Sequence, residues 1–555
     1  MLTSSRIHFI HIDNAPVNGL SHAVRAGIVG QLDAAEKDER ITAIVLVGAG
    51  KVFSGGADMR EFGTDAEAAE PHLNTVIARL EDCRKPVVAV LHGVAMGGGL
   101  ELAMGCHFRL VTPSCKIALP EVKLGLMPGG GGTQRLPRLT GLDMAVKVIV
   151  SGDVFNAQQF AGTALFDAVI EEGDNAAIEA QAAAFVAALS EATPMRRTRD
   201  REVPGGDGVS ALAQARSEAQ AVAQWTPAPL KCIEAIAASR THAFTRGLET
   251  ERALFLWLLE SRASVALRYQ FFAERAVSKI GDLAPGTRTS LPSSIVLIGD
   301  GAQIDYLASM LARSSIPVAR FASFQHALAA LDDAGMVVLG DMDDAGEVAR
   351  LLVMVEQRVA ASCVLVSLSH CDDLDLLAQQ LTRPTDLAGL YVGEPGDQLS
   401  VVEVVRGSAT SAATAAILMA FCKHLGKTGV VSPSRPGLIG PRLLARLMRQ
   451  KRRLQETGVP GSLLDQALRE FGYREGPCLR AAADADADQA YAGHIQKRPP
   501  LADIAAAING ALGDEAAALL AGSAPITATD IDIVFTLGYG FPRHCGGPLF
   551  YHRQQ

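Results

Sequence analysis

Short apolar runs that close on glycine and lead into helical patterns fall in two separate blocks of this chain. That feature constrains its fold more than any other. In the first block, ITAIVLVGAG (41–50) and KPVVAVLHGVA (85–95) read as strands, and LELAMGCHFRLVT (100–112) as a helix passing into a strand. IEAQAAAFVAAL (178–189) is an Ala-rich helix. The second block has SIVLIG (294–299), MVVLGD (336–341), SCVLVSLS (362–369) and LSVVEVV (399–405) as strands. Strands that alternate with helices build a parallel sheet covered on its faces, so both blocks are α/β.

A polar, Pro- and Gly-rich loop (193–208) closes the first block. The run 248–280 then carries an apolar stripe with charges opposite and reads as one long helix. GDLAPGTRTSLPSS (281–294) is a linker, and after Lys427 the chain reads as mostly helical. The expected domains are 1–190, 191–284, 285–428 and 429–555. A chain of 555 residues has room for that number.

Composition removes several function classes. A net charge of -9 argues against general affinity for nucleic acid or an anionic membrane. No run is long and apolar enough to span a bilayer. The nine cysteines are scattered without a C-x-x-C pair, which reads as reduced thiols filling a core in a cytoplasmic protein. The N-terminus shows no secretory signal, and the final FYHRQQ is not a peroxisomal tripeptide. DADAD (484–488) mimics a calcium loop, but Gln489 stands where glycine is needed and Ile495 where glutamate is needed. No metal site is expected.

Two glycine loops concentrate the chemistry: FSGGADM (53–59) and AMGGGLELA (95–103). The second follows a strand and opens a helix, whose free N–H groups and positive dipole end suit a developing oxyanion. Glu101 sits in that helix's first turn. A third stretch, LPEVKLGLMPGGGG (119–132), carries Glu121 beside Pro120. Either glutamate alone is ordinary helix-end chemistry; the two together with the glycine loops point to a site.

These stretches, with NAPVNGLS (14–21) and the continuation TQRLPRLTG (133–141), resemble the enoyl-CoA hydratase (crotonase) family over roughly residues 5–190. The style of the third stretch is similar to bifunctional enoyl-CoA hydratase/3-hydroxyacyl-CoA dehydrogenases. The resemblance implies a crotonase fold, a ββα spiral. It implies that the amides of Ala57 and Gly98 hold the thioester oxygen, and that Glu101 and Glu121 flank one water. Gly129 would line the pocket near that water. One carboxylate would take a proton from the attacking water and the other deliver one to the α-carbon. Losing an oxyanion donor typically costs roughly 100- to 1000-fold in rate. Keeping both glutamates favours hydration over double-bond isomerisation, with an (S)-3-hydroxyacyl-CoA as product. The implied ligand is an acyl-CoA thioester, with Arg60 as one candidate for its phosphates. A thiolase is a candidate partner, and a monomer is compatible with the resemblance.

The resemblance extends through the linker helix (260–275) to LGK (425–427), PGLIGPRLL (436–444) and GYGFPRHCGGPLFY (538–551) in the dehydrogenase half. There several family positions are altered. LIGDGAQIDY (297–306) keeps Gly299 and Gly301 of the dinucleotide pattern but has Ile304 in its third place. Arg320 follows the second strand where an acidic residue is usual, and the segment before AGMVVLG lacks room for a helical hairpin. Tyr391 in YVGEP (391–395) takes the place of the family's base histidine. Its partner survives as Glu403, Pro441 replaces an asparagine, and His370 in LSHC (368–371) is a weak substitute base. The expectation is a Rossmann-like domain without an intact dinucleotide loop, then an α-helical C-terminal domain. This half would be structural, and no cofactor, NAD included, is expected. A still-bifunctional enzyme, an isomerase and a non-catalytic acyl-CoA-binding scaffold are the alternatives.

Overall fold

The computed structural model describes residues 6–61, 64–190, 193–205, 208–287, 289–340, 345–368, 373–393, 399–434, 438–474, 476–479, 499–522 and 524–555. DADAD, His370, Cys371, Glu394 and Pro395 lie outside them. The chain divides into two compact units, Met1–Val265 and Ala266–Gln555.

In the first unit, β1 (Arg6–Ile12), β2 (Ile41–Gly48), β3 (Val87–Leu91), β5 (Phe108–Val111) and β8 (Ala168–Val169) form a parallel sheet in the order β1-β2-β3-β5-β8. The central strands β2 and β3 are nearly continuous apolar runs because both of their faces are covered. Ile44 and Leu46 point into the main core, while Ala43, Val45 and Val47 meet Ile178, Ala182 and Val186 of the helix Asn175–Ala188. Those three recur every fourth residue, the spacing of one helix face.

A small second sheet holds β4 (Val94–Met96), β6 (Lys116–Ala118) and β7 (Phe155–Asn156). Successive strand–helix turns thus spiral around one core, as the resemblance implies. The helices Ala228–Thr241 and Phe244–Leu259 also belong here: Cys232, Ile233, Phe255 and Leu258 join the same core. The run 248–280 is not one helix. It breaks into Phe244–Leu259 and Arg262–Ala276 at Ser261. The Ser261 hydroxyl donates to the Leu258 carbonyl at 2.7 Å and accepts the Ser264 amide at 3.2 Å, ending one helix and capping the next.

The second unit is built on seven strands in the order β10-β9-β11-β12-β13-β14-β15. These are β9 (Ile295–Ile298), β10 (Val318–Phe321), β11 (Met336–Leu339), β12 (Val364–Ser367), β13 (Leu387–Tyr391), β14 (Val401–Arg406) and β15 (Thr428–Pro433). All pairs are parallel except β13 with β14. Alternate residues feed opposite cores: Ile295, Leu297, Met336 and Val338 on one face, Val296, Ile298, Val337 and Leu339 on the other. A single helix, Phe324–Leu331, joins β10 to β11. The strand β15 was not legible, because TGVVSP is short and abuts a helical pattern on either side. Helices Ile439–Glu456, Gly461–Phe471, Leu501–Leu520 and Ala528–Gly538 share a further core.

Among the described residues the cysteines are unpaired, and all but Cys545 are buried. Burial pushes thiols such as Cys106 and Cys115 up to about 12, so they are inert packing groups.

Candidate active site

The strand β4 turns at Gly97, with φ +52, into the helix Gly98–Met104. Glu101 is in its first turn and 2% exposed. Its Oε1 accepts the amides of Gly130 and Gly132, both at 2.7 Å. A β-carbon at Gly132 would lie 2.8 Å from that same oxygen, so only glycine lets the backbone come so close. Burial pushes the Glu101 carboxyl up to about 7, with the two amides and the Arg135 guanidinium pulling the other way.

Glu121 stands in the short helix Pro120–Leu124, after β6. Its Oε1 is 2.8 Å from where a β-carbon on Gly97 would sit, and its buried Oε2 has no hydrogen-bond partner among the described residues. Burial holds its carboxyl well above the usual range, and the charges of Glu101 and Glu251 add to this. Glu101, Glu121, Ala57, Gly98 and Gly129 all border one cavity of about 410 Å³. The amide nitrogen of Ala57 is 3.2 Å from the β-carbon position of Gly98, so the two loops converge there.

Arg60 does not border this cavity; its guanidinium grips Asp58 at 2.5 and 2.8 Å. Arg25 does border it and clamps the segment beside it, donating to Leu20, Ala66 and Pro71 carbonyls and to Glu61 Oε2.

Three residues beyond the recognised motifs were missed: Glu251, Arg252 and Phe255 of the helix Phe244–Leu259. Arg252 and Phe255 border the cavity. The Phe255 ring packs on Gly129, where a β-carbon would be 2.8 Å from it. Glu251 is 1% exposed and accepts the Gly131 amide at 2.6 Å, the Thr133 amide at 3.0 Å and the Thr133 hydroxyl at 2.5 Å. Burial and the charge on Glu101 push it up to about 8. One signal was present: Gly247, Glu251, Phe255 and Leu258 form the buried face of their helix, so a carboxylate lies in an apolar stripe.

In the second unit, Gly299 and Gly301 take φ of +117 and +122 and lead into the helix Ala302–Leu311. Ile304 is fully buried beside Leu297, Leu307 and Val338, and its Cδ1 lies 3.2 Å from the β-carbon position of Gly340. Its branched side chain therefore fills the core under the loop and does not block the loop's mouth. Among the described residues a β-carbon on Gly301 would meet nothing within 4 Å. Arg320 pairs with Asp305 at 2.5 Å and Asp300 at 3.6 Å. These residues fit a pyrophosphate: a positive-φ glycine turn leads into a helix whose first N–H groups have no partner within the helix itself.

Tyr391 pairs across the sheet with Glu403. Glu403 is buried and accepts the Ser432 hydroxyl and the amides of Ile439 at 2.8 Å and Gly440 at 2.9 Å. It thereby caps the helix Ile439–Glu456. Pro441 sits in that helix's first turn, where its missing N–H is not needed.

Fold and site define a two-part enzyme: a hydratase-type module followed by a nucleotide-binding sheet. Residues 3–198 match the family described as enoyl-CoA hydratase/isomerase, and residues 312–434 match the 3-hydroxyacyl-CoA dehydrogenase, NAD binding domain. The chain is 30% identical to the peroxisomal bifunctional enzyme of Danio rerio, over 86% of this chain and 71% of that protein. It is also 30% identical to the peroxisomal bifunctional enzyme of Homo sapiens, over 86% and 72%. To the fatty acid oxidation complex subunit alpha of Shewanella sp. (strain MR-4) it is 28% identical, over 80% and 69%. The chain belongs to the family of bifunctional enoyl-CoA hydratase/3-hydroxyacyl-CoA dehydrogenases. The expectation that no NAD is used is thereby overturned. The match to an NAD binding domain and the bifunctional relatives point to NAD, and Ile304 is buried in the core.

Proposed function

We propose that the first unit hydrates trans-2-enoyl-CoA esters to (3S)-3-hydroxyacyl-CoA, within fatty acid β-oxidation as the relatives' names suggest. The observation that carries this is a pair of glutamates with unlike surroundings on one cavity, Glu101 buried and Glu121 half-buried. Glu101 accepts two amide N–H groups, which favour its charged form, so it serves as the base. Glu121 has a buried oxygen without a donor among the described residues, which favours its neutral form, so it serves as the acid. Water adds to the β-carbon as Glu101 takes its proton. Electrons move through the double bond onto the thioester oxygen, where the amides of Ala57 and Gly98 stabilise the enolate. Glu121 then gives its proton to the α-carbon, and a proton passing from Glu101 to Glu121 resets the pair. No other co-reactant is needed.

In the second unit the Gly299–Gly301 turn and the amides heading Ala302–Leu311 would hold the pyrophosphate of NAD. When bound, NAD supplies a hydride acceptor. We infer that oxidation of the hydroxyacyl product is nevertheless lost, because Tyr391 stands in the place of the base. An unperturbed tyrosine titrates near pH ~10 and is a poor base at neutral pH. A retained dehydrogenase is the second reading, favoured by the open glycine turn. A cytoplasmic location belongs to the same proposal and rests on the unpaired, buried thiols. Among the described residues no helix is long and apolar enough to cross a membrane.

One experiment tests these points together. The conjugated-thioester absorbance of trans-2-butenoyl-CoA is followed to its plateau, and NAD is then added. The absorbance should fall and no NADH should appear, while NADH fluorescence titration shows binding. Absence of hydration refutes the first proposal; formation of NADH refutes the second.

A further inference from the structure

Four successive amides divide between two buried carboxylates. Those of Gly130 and Gly132 donate to Glu101, and those of Gly131 and Thr133 donate to Glu251. One turn of backbone is thus held from both sides, by a residue of the cavity and by a residue of the helix Phe244–Leu259. Among the described residues Glu251 does not border the cavity. Its grip is reinforced locally. The Thr133 hydroxyl, which donates to Glu251, accepts Gln134 Nε2 at 3.0 Å, and the same Nε2 donates to the Ala235 carbonyl at 2.8 Å. Gly247 makes room for that amide side chain, since a β-carbon there would clash with Gln134 Oε1.

We propose that Glu251 is a positioning residue for the hydration reaction, holding the Gly130–Thr133 turn so that its alternate amides fix the carboxylate of Glu101 toward the cavity. This rests on the reading of Glu101 as the hydrating base. The physical basis is directional. All of Glu251's contacts on this turn are N–H or O–H donors, so two acceptor oxygens are required. A glutamine there would turn its NH2 against one of the donors, leaving a buried N–H without a partner and freeing the turn to shift. A shift of about 1 Å in a catalytic group can cost on the order of 100-fold in rate. The residue lies outside the segment matched to the hydratase family, residues 3–198, so the extension completes the site and does more than cover it.

The test uses the full-length chain with Glu251→Gln and the shorter Glu251→Asp, which keeps both carboxyl oxygens. Butanoyl-CoA, a saturated ester that cannot be hydrated, is titrated calorimetrically to count folded binding sites, and hydration of trans-2-butenoyl-CoA is then expressed per site. Glu251→Gln should bind butanoyl-CoA within about 3-fold of wild type while turnover per site falls roughly 10- to 100-fold. Glu251→Asp should lie between the two, and it stands in for the glutamine variant if that one fails to fold. Turnover per site within about 3-fold of wild type in the variants that fold overturns the proposal. So does a loss of turnover wholly matched by a loss of binding sites, which would make Glu251 a cap for the fold alone. A wild type that binds butanoyl-CoA and never hydrates the enoyl ester refutes the hydration reading itself, and this inference with it.

Discussion

Replacing Glu101 by glutamine should abolish hydration while making the protein more stable above neutral pH. Both of its amide hydrogen bonds end on one oxygen, Oε1. The carbonyl oxygen of glutamine can accept both, so the turn at Gly130–Gly132 stays in place. Only the proton-accepting charge is lost, at a cost of roughly 100- to 10,000-fold in turnover. The stability gain follows from burial. The Glu101 carboxyl is pushed from 4.5 to about 7. A carboxyl whose folded pKa lies above its unfolded one binds more protons when folded. Wild type therefore loses stability as pH rises from 4.5 to about 7, and the loss is complete above that. At about 1.4 kcal/mol per pKa unit the upper bound is about 3 kcal/mol. Some of this is relaxed by local rearrangement, so the variant should gain about 1 to 3 kcal/mol at pH ~8 and almost nothing at pH ~4. That corresponds to a rise of roughly 2–4 °C in melting temperature per kcal/mol. Calorimetric melts of both proteins at the two pH values, with turnover measured alongside, check it. A variant that melts lower than wild type at the higher pH, or still hydrates at near wild-type rate, would refute this account of the site.

Gly97→Ala should lower turnover about 100-fold by driving the new β-carbon against Glu121 Oε1, and its positive φ should cost about 1–3 kcal/mol in a thermal melt. Unchanged turnover would remove Glu121 from the mechanism. Asp532→Ala should destabilise the second unit by about 2–5 kcal/mol, because Asp532 accepts the buried Leu549 amide, the Phe550 amide and the Tyr269 hydroxyl. Denaturant unfolding of the full chain measures it. A loss below about 1 kcal/mol would mean that water replaces these bonds.

The two α/β blocks, the glycine loops and the glutamates of the cavity could be read directly from the chain. Each is a local pattern: β-branched runs ending in glycine, and carboxylates in first helical turns. The break at Ser261 was harder, because the apolar stripe continues across it and only two hydroxyl hydrogen bonds end the helix. Ile304 shows the limit of motif spacing. The sequence reports that a glycine is missing, but whether the replacement blocks the loop depends on which way its side chain turns. Gly340, just after the strand β11, leaves room for it in the core. Glu251 shows the same limit from the other side. Its partners Gly131 and Thr133 are 120 and 118 positions away, and no periodicity reaches across that distance. By itself the sequence determined the kinds of element and their order, because those follow from near-neighbour sterics and hydrophobic patterning, and its motifs carried the resemblance that implied the pair Glu101 and Glu121. Only the tertiary structure decided which distant helix completes the site, because buried amides must find acceptors wherever the folded chain brings them.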